Sequence, residues 1–253
     1  MKVPSIFVHF TGSLGVSDIG GTLAKHARAG AKVAATILWD YPKDVMKQIK
    51  EMAAILGIET HVLGRRRGEV SPDQLLKKQI VELIREVKPD IAITFDPEFA
   101  ANSMDGDHIA THQLMMDALG LCYRQNFAPE QLGRGLETWF VKAVYYPFWG
   151  LRGKPDVIVD ITETFDVKVK ATLALKGQSK FTGEILPTFY SEDALKSLLP
   201  AYQKLKKTPA KVGEEWERER RKVVARFLGE QVDVAYGEAF KRVAPMKLDY
   251  LRA

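Results

Sequence analysis

Two carboxylates and two imidazoles lie close together in the stretch DGDHIATH, residues 105–112. Asp105 and Asp107 precede His108, and His112 follows four residues later, so the two histidines would share one face of a helix. Neutral imidazole nitrogen and carboxylate oxygen suit a zinc ion, and bound zinc activates a water molecule for hydrolysis. This stretch is therefore a candidate catalytic or ligand-binding site.

A short strand and the helix that follows it would position this cluster. Residues 91–95, IAITF, are rich in β-branched and aromatic residues, which is typical of a buried strand, and Asp96-Pro97 would end it. Residues 109–116 have helical spacing. The cluster is thus predicted where the carboxyl end of a strand meets the amino end of a helix, the edge at which open parallel sheets bind ligands.

Strands and helices alternate along most of the chain, with short connections between them. The predicted strands are residues 3–10, 32–38, 58–63, 91–95, 139–148 and 157–160. The predicted helices are residues 19–29, 43–56, 71–87, 109–123 and 162–176, with loops at 11–18 and 124–137. This alternation predicts an α/β fold, a Rossmann-like and mostly parallel sheet with helices on both faces. Residues 1–190 would form this domain, and residues 191–253 a charged helical extension packed on it.

The composition of the chain narrows the classes of function. Cys122 is the only cysteine, which excludes an internal disulfide and a cysteine zinc cluster. No apolar run has the length of a membrane span and no signal-peptide pattern is present, so we expect a cytoplasmic protein without a membrane partner. The net charge of +5 is modest for 253 residues, and without a nucleic-acid motif we expect no nucleic-acid partner. Homo-oligomer formation stays open.

The cluster at residues 105–112 resembles the second motif of the PIG-L/LmbE family of zinc-dependent N-deacetylases. That motif usually reads His-Pro-Asp-His-x-x-x-His and follows a strand. Three further stretches resemble the family in the expected order. They are residues 20–25, residues 155–162 with the helix that ends at 178–179, and residues 236–240.

The resemblance implies a hydrolase that deacetylates N-acetylglucosamine-like substrates with a bound Zn²⁺ ion. In this family the first motif, Ala-His-Pro-Asp-Asp, supplies a histidine ligand, a general-base aspartate and an aspartate ligand. His108 matches the third ligand of the family, and Asp107 precedes it. Thr11 to Leu14 stand at the first motif, unless His9 takes its histidine position, and Asp105 stands where the family has an oxyanion-stabilising histidine.

Two interpretations of these replacements stay open. In the first, His9, His108 and a carboxylate from Asp18, Asp105 or Asp107 form an altered zinc site. In the second, an aspartate caps the helix and the histidines make ordinary hydrogen bonds in a leftover pocket. The function would then be that of a catalytically inactive family member, a scaffold that binds a small molecule or a protein, so the sequence leaves open whether the protein is an enzyme.

Other polar residues near the predicted edge complete the set of candidates. Ser13 is a candidate catalytic residue together with Asp105 and Asp107, although a capping serine is the simpler interpretation because no nucleophile-elbow motif surrounds it. Arg65 to Arg67 and His112 are candidates for contacts with a small sugar-like ligand. Arginine would suit an anionic ligand, and three solvated surface arginines are the alternative.

Overall fold

A computed structural model of the protein describes residues 2–149 and 153–243. Within these residues, seven strands form one sheet in the order β3-β2-β1-β4-β5-β7-β6. The strands are β1 (Ile6–Phe10), β2 (Val33–Trp39), β3 (Glu59–Arg65), β4 (Ile91–Thr94), β5 (Ala143–Pro147), β6 (Val157–Asp160) and β7 (Gly237–Val243).

Twelve α-helices surround this sheet in the described part of the chain. They are α1 (Ser13–Asp18), α2 (Gly20–Arg28), α3 (Lys43–Leu56), α4 (Gln74–Val87), α5 (Pro97–Asn102), α6 (Gly106–Leu121), α7 (Pro129–Gly133), α8 (Phe165–Ala174), α9 (Lys176–Phe189), α10 (Glu192–Leu198), α11 (Tyr202–Leu205) and α12 (Pro209–Glu230). Of the helices in residues 2–149 and 153–243, none combines the length and apolar character that crossing a membrane requires.

The central strand β1 lies between β2, the next strand in the chain, and β4, which is formed later. It pairs in parallel with β2, where His9 is opposite Thr36, and with β4, where His9 is opposite Thr94. From β1 the chain first builds β2 and β3 on one side and later β4 and β5 on the other. This reversal opens a crevice at the carboxyl ends of β1 and β4, where ligands bind in open α/β sheets.

Two hydrophobic cores cover the two faces of the sheet. The alternating residues Ile6, Val8 and Phe10 of β1 pack with α1, α2, α3 and α8, whereas Phe7 packs with α4 and α6. This alternation is the period of two that a strand imposes on its side chains. Both faces being buried explains why the central strands are almost continuously apolar.

Helices α9 and α12 cross at very short distance through two glycines. A Cβ atom on Gly183 would lie 1.8 Å from the carbonyl oxygen of Pro209, and one on Gly213 would lie 1.8 Å from that of Ser179. Only glycine allows the two backbones to approach so closely. The two helices therefore form one tightly packed wall beside the crevice.

The observed fold confirms the predicted α/β architecture, although several elements differ from the prediction. Residues 11–18 and 124–137, predicted as loops, contain α1 and α7, and the helix predicted at 162–176 is divided into α8 and α9, which extends to Phe189. The segment after residue 190, predicted as helical, also contains β7. β7 runs antiparallel to both of its neighbours, β5 and β6, and joins them within the sheet. A division of the chain at residue 190 stays a prediction, and residues 244–253 of the predicted extension lie outside the described residues.

Candidate functional site

A cleft of about 520 Å³ opens at the carboxyl ends of β1 and β4, at the reversal of strand order. Its volume falls within the range of small-molecule sites, which is roughly 300–1,000 Å³. One side is formed by the loop after β1, by α1, by the last residue of β2 and by residues after β3 and β4, and α9 and α12 form the other side. The cleft is therefore a candidate ligand site in the position that the fold favours.

Aromatic rings form much of the cleft surface. The ring centroids of Phe95 and Phe99 lie 5.6 Å apart, and Trp149 meets Phe99 at 4.9 Å. The lining also includes three rings on other elements: Trp39, Phe181 and Trp216. Flat apolar rings of this kind offer packing surfaces to the faces of a ring-shaped ligand.

His108 lies in the first turn of α6 and lines the cleft, as its matching position in the resemblance predicts. Its Nδ1 is 3.0 Å from the Ser103 hydroxyl, which itself donates to the Ala100 carbonyl at 2.8 Å. Because that hydroxyl proton is used on Ala100, the network assigns the imidazole proton to Nδ1 and leaves Nε2 as an acceptor. Burial lowers the pKa of His108, and Arg67 also lowers it, against Asp105 and Asp107, so the ring is neutral near pH 7.

Asp105 caps α6 by accepting from the Asp107 amide at 2.9 Å, and its other oxygen lies 3.8 Å from His108 Nε2. Asp107 is buried and accepts three hydrogen bonds. Its Oδ2 accepts from Trp39 Nε1 at 2.7 Å and from the Gly68 amide at 2.6 Å, and its Oδ1 accepts from the Val70 amide at 3.1 Å. Neither aspartate is part of the cleft lining. Their catalytic roles stay predictions, and the contacts of Asp107 make it a support for the loop after β3.

The three arginines after β3 have different surroundings. Arg65 lies 3.9 Å from Asp73, and Arg66, with 82% of its side chain exposed, lies 3.9 Å from Glu69. Arg67 instead has its guanidinium carbon Cζ over the Trp39 ring, 4.0 Å from the ring centroid, and is the one of the three that lines the cleft. Of the three predicted ligand contacts, this placement favours Arg67 alone.

His9 is fully buried on β1 and does not line the cleft. Its Nδ1 is 2.5 Å from the Thr36 hydroxyl, whereas its Nε2 has no hydrogen-bond partner among the described residues. Burial lowers its pKa to about 3, so the ring is neutral. The structure therefore does not bring His9 and His108 together as two ligands facing the cleft.

Ser13 and His112 also lie outside the cleft lining. Ser13 begins α1, with its backbone amide 3.4 Å from the Tyr41 hydroxyl. His112 has its Nδ1 2.9 Å from the Phe95 carbonyl oxygen, and its ring packs against Tyr146. Both residues thus have structural contacts, and their predicted roles in catalysis and ligand binding stay predictions.

Asp18 does line the cleft, but two arginines hold its carboxylate. It accepts from Arg220 at 3.0 Å and from Arg221 at 2.7 Å. Burial alone would raise the pKa of Asp18, and the positive charges of Arg221, Arg220 and Lys168 reverse that effect, so the pKa is lowered. Asp18 is therefore an ionised partner of arginine rather than a free carboxylate.

The same ionic cluster contains residues of α12, although the interleaved charges of residues 214–222 are typical of a solvent-exposed helix. Glu217 and Arg221 are each 3% exposed and form an ion pair one helical turn apart, and Arg220 also contacts Glu217 at 3.3 Å. The interleaved glutamates and arginines are the only sign of this ionic cluster in the sequence. Such a run is typical of an exposed helix, and the burial follows from the packing of α12 on α9, which is not visible in the run itself.

The donor groups of the cleft do not fit the zinc site that the resemblance implies. A zinc site needs three protein ligands. His108 Nε2 is available, but Asp18 is held by two arginines, Asp107 is held by three donors, and His9 faces elsewhere. Across residues 2–149 and 153–243, no group of three His, Cys, Asp or Glu side chains could hold a metal ion.

Comparison with known proteins confirms the resemblance. The family model described as "PIG-L: GlcNAc-PI de-N-acetylase" matches residues 16–119, the segment from α1 to α6 that contains His108. The resemblance to the PIG-L family is thus established over this segment. No curated protein sequence matches the chain.

Solved structures show the same fold over nearly the whole chain. A conserved protein of Thermus thermophilus has a TM-score of 0.71 at 19% identity, covering 99% of this chain and 100% of its own. An N,N'-diacetylchitobiose deacetylase from Pyrococcus horikoshii has a TM-score of 0.67 at 20% identity, covering 95% of this chain and 84% of its own. A 4-carboxy-2-hydroxymuconate hydratase from Pseudomonas putida has a TM-score of 0.63 at 19% identity, covering 98% of this chain and 99% of its own. At these identities the likeness establishes the fold alone.

Proposed function

We propose that the protein binds a small, ring-shaped, sugar-like molecule in the aromatic cleft and acts as a binding protein on a PIG-L scaffold. The observation that carries this proposal is the cleft itself, with six aromatic side chains and His108 around a volume of about 520 Å³. Aromatic rings pack against the C–H face of a sugar. The imidazole acceptor of His108 and the guanidiniums of Arg67 and Arg220 offer hydrogen bonds to its polar edge.

Two observations support binding without zinc-dependent hydrolysis. The donor set of the described residues does not supply three ligands, and Asp107 is held by Trp39 and the loop after β3. Zinc-dependent deacetylation needs an open metal position that activates water and a base beside it. Losing several members of such a unit removes most of the catalytic effect, because those groups act together.

Zinc-dependent N-deacetylation is the second candidate function. The family match over residues 16–119 favours it, as does the position of His108 at the edge of the cleft. A structural neighbour described as a diacetylchitobiose deacetylase is consistent with an amide-bearing sugar as the substrate class. In this candidate function, His108 would be one zinc ligand, and the other ligands would be groups other than His9, Asp18 and Asp107.

Binding is tested by isothermal titration calorimetry with N-acetyl-D-glucosamine, D-glucosamine and D-glucuronate. We expect at least one of them to bind, and we expect Phe99→Ala to weaken that binding about tenfold because it removes an aromatic wall. Phe140→Ala is the matched control, since Phe140 is an exposed aromatic residue outside the cleft. If neither these three sugars nor D-glucose and D-glucose 6-phosphate bind to the parent protein, the proposal is wrong.

Metal content separates the two candidates. Protein purified without chelators is analysed for zinc, and acetate release from N-acetyl-D-glucosamine and N,N'-diacetylchitobiose is measured in parallel. We expect far less than one zinc ion per chain and no acetate. The control is His26→Ala, a change in α2 at a histidine that does not line the cleft. One zinc ion per chain that is lost in His108→Ala, retained in His26→Ala and accompanied by acetate release would establish the deacetylase instead.

A further inference from the structure

The chemical class of the ligand can be narrowed from the charges that face the cleft. Arg67 has its guanidinium carbon 4.0 Å from the centroid of the Trp39 ring and forms neither an ion pair nor a hydrogen bond within the described part of the chain. Its two neighbours Arg65 and Arg66 are each near a carboxylate, at 3.9 Å. Stacking on a ring leaves the in-plane N–H groups of a guanidinium free, and these groups match the two oxygens of a carboxylate or phosphate.

Arg220, on the opposite side of the cleft, has donors left over. Its Nη2 contacts Asp18 at 3.0 Å and Glu217 at 3.3 Å, whereas its Nη1 and Nε make no hydrogen bond to any described residue. Neither nitrogen is among the buried unpartnered atoms, so both keep contact with solvent, and Arg220 is part of the cleft lining. Arg220 can therefore donate to a ligand while it still holds the two carboxylates.

Among the charged residues that line the cleft, Arg67 is the one without an ion-pair partner in the described part of the chain. Arg220 and Arg221 balance Asp18 and Glu217, because each carboxylate contacts both guanidiniums. Arg67 has no such counterpart among residues 2–149 and 153–243. The ion pairing within the cleft thus leaves Arg67 free to bind the acidic group of a ligand.

We propose that the ligand is an acidic sugar or a close analogue, a ring with one carboxylate or phosphate group. The acidic group would bind Arg67, the ring would lie on the aromatic walls, and hydroxyl groups would accept hydrogen bonds from Arg220. This inference rests on the proposed function, since it assigns a substrate class to the same cleft. Arg67 would be the residue that determines specificity for the charge.

The test compares matched sugars by isothermal titration calorimetry at low ionic strength: D-glucose, D-glucuronate and D-glucose 6-phosphate. We expect at least one acidic sugar to bind about tenfold more tightly than glucose. Arg67→Gln should reduce that affinity to the level of glucose, whereas Arg66→Gln, an exposed arginine one residue earlier, should leave it unchanged. Added salt should weaken binding of the acidic sugar more than binding of glucose, because an exposed ion pair is screened.

The possible results separate the inference from the function on which it rests. Tighter binding of glucuronate identifies the carboxylate, and tighter binding of glucose 6-phosphate identifies the phosphate. Equal affinity for glucose and both acidic sugars, unchanged in Arg67→Gln, overturns the inference and leaves sugar binding intact. Failure of all three sugars and of N-acetyl-D-glucosamine and D-glucosamine to bind overturns the proposed function itself. Circular dichroism of each variant confirms that it is folded.

Discussion

Trp39 Nε1 donates a hydrogen bond of 2.7 Å to Asp107 Oδ2, and this contact joins the end of β2 to the first turn of α6. The same carboxylate oxygen accepts from the Gly68 amide, so it also fixes the loop that carries Arg67. Arg67 then lies on the ring that Asp107 holds in place. One buried carboxylate thereby positions two of the residues that line the cleft.

Asp107→Asn should lower the free energy of unfolding by about 1–3 kcal/mol, because it leaves a buried donor without an acceptor. The amide offers one acceptor oxygen where the carboxylate offered two, and three donors point at it. Urea unfolding measures the loss. Asp117→Asn, on the same helix, is the control. Its ion pair with Lys77 is partly exposed and contributes at most about 1 kcal/mol. Equal losses in both variants would contradict the role given to Asp107.

Arg221→Met should destabilise the protein by about 3–5 kcal/mol, since it leaves the buried carboxylate of Glu217 with less compensation. Arg221 contacts both Asp18 and Glu217, and methionine keeps much of its apolar volume. The exposed neighbour Arg226→Met should change stability by less than about 0.5 kcal/mol. A loss below about 1 kcal/mol for Arg221→Met in urea unfolding would show that the buried ion pairs are not needed for the fold.

Asp18→Asn should destabilise the protein at neutral pH, and the difference should narrow in acid. Arg221 and Arg220 outweigh burial and hold the pKa of Asp18 below its usual value of 3.8. A carboxyl group with a lowered pKa contributes stability above its unfolded-state pKa, and that contribution is lost as the pH falls from 3.8 through the folded-state value. The measurement is the difference in unfolding free energy between parent and variant near pH 6 and near pH 3. A difference that stays constant would contradict the ionised state of Asp18.

His9→Leu should make stability less dependent on pH between about 5 and 7. Burial lowers the pKa of His9 to about 3, whereas the unfolded chain takes up a proton near 6.5. The unfolded state therefore binds more protons over this window, and stability falls as the pH is lowered, by about 2 kcal/mol between pH 7 and pH 5 for one such group. Leucine has a similar volume and no charge, so urea unfolding at the two pH values should show a smaller fall in the variant. An equal fall in parent and variant would show that His9 does not titrate in this way.

Cys122 should react with a thiol reagent only when the protein unfolds. Burial raises the pKa of its thiol to about 11, partly offset by Arg85, and the Sγ lies 3.1 Å from the Trp139 carbonyl oxygen. Because the thiolate is the reactive form, a chromogenic disulfide reagent near pH 8 should label native protein very slowly. In concentrated guanidinium chloride the same reagent should label one thiol per chain. Rapid labelling of the native protein would contradict the burial of Cys122.

Elements defined by local signals could be predicted closely from the sequence. α3 spans Lys43–Leu56 as predicted, because Gly57 ends it in the left-handed conformation with φ of 73°. α6 begins after Asp105, which caps it as one interpretation proposed. Capping and helical periodicity act within a few residues, so they are visible in a single stretch of sequence.

Features that depend on contacts between distant residues could not be predicted in the same way. Arg85 was an ordinary residue of a predicted helix, yet it is fully buried and donates to the carbonyl oxygens of Cys122, Arg124 and Phe127. These hydrogen bonds, with one to Gln131, fix the conformation of residues 122–131, most of which lie in the predicted loop at 124–137. For the same reason, the sequence did not indicate that α9 and α12 form one side of the cleft. The charges of Glu217 and Arg221 indicate solvent exposure unless the crossing of the two helices is known.

The position of β7 affects how the protein can fold while it is being made. β6 is complete at residue 160, but β7, its neighbour in the sheet, ends at residue 243. At 5–20 residues per second, a ribosome needs roughly 4–17 s to synthesise the intervening segment. During that interval β5 has an unpaired edge, which makes the nascent chain prone to strand-to-strand aggregation. Chaperones that bind the chain before residue 243 has been synthesised would therefore protect this edge and raise the yield of folded protein.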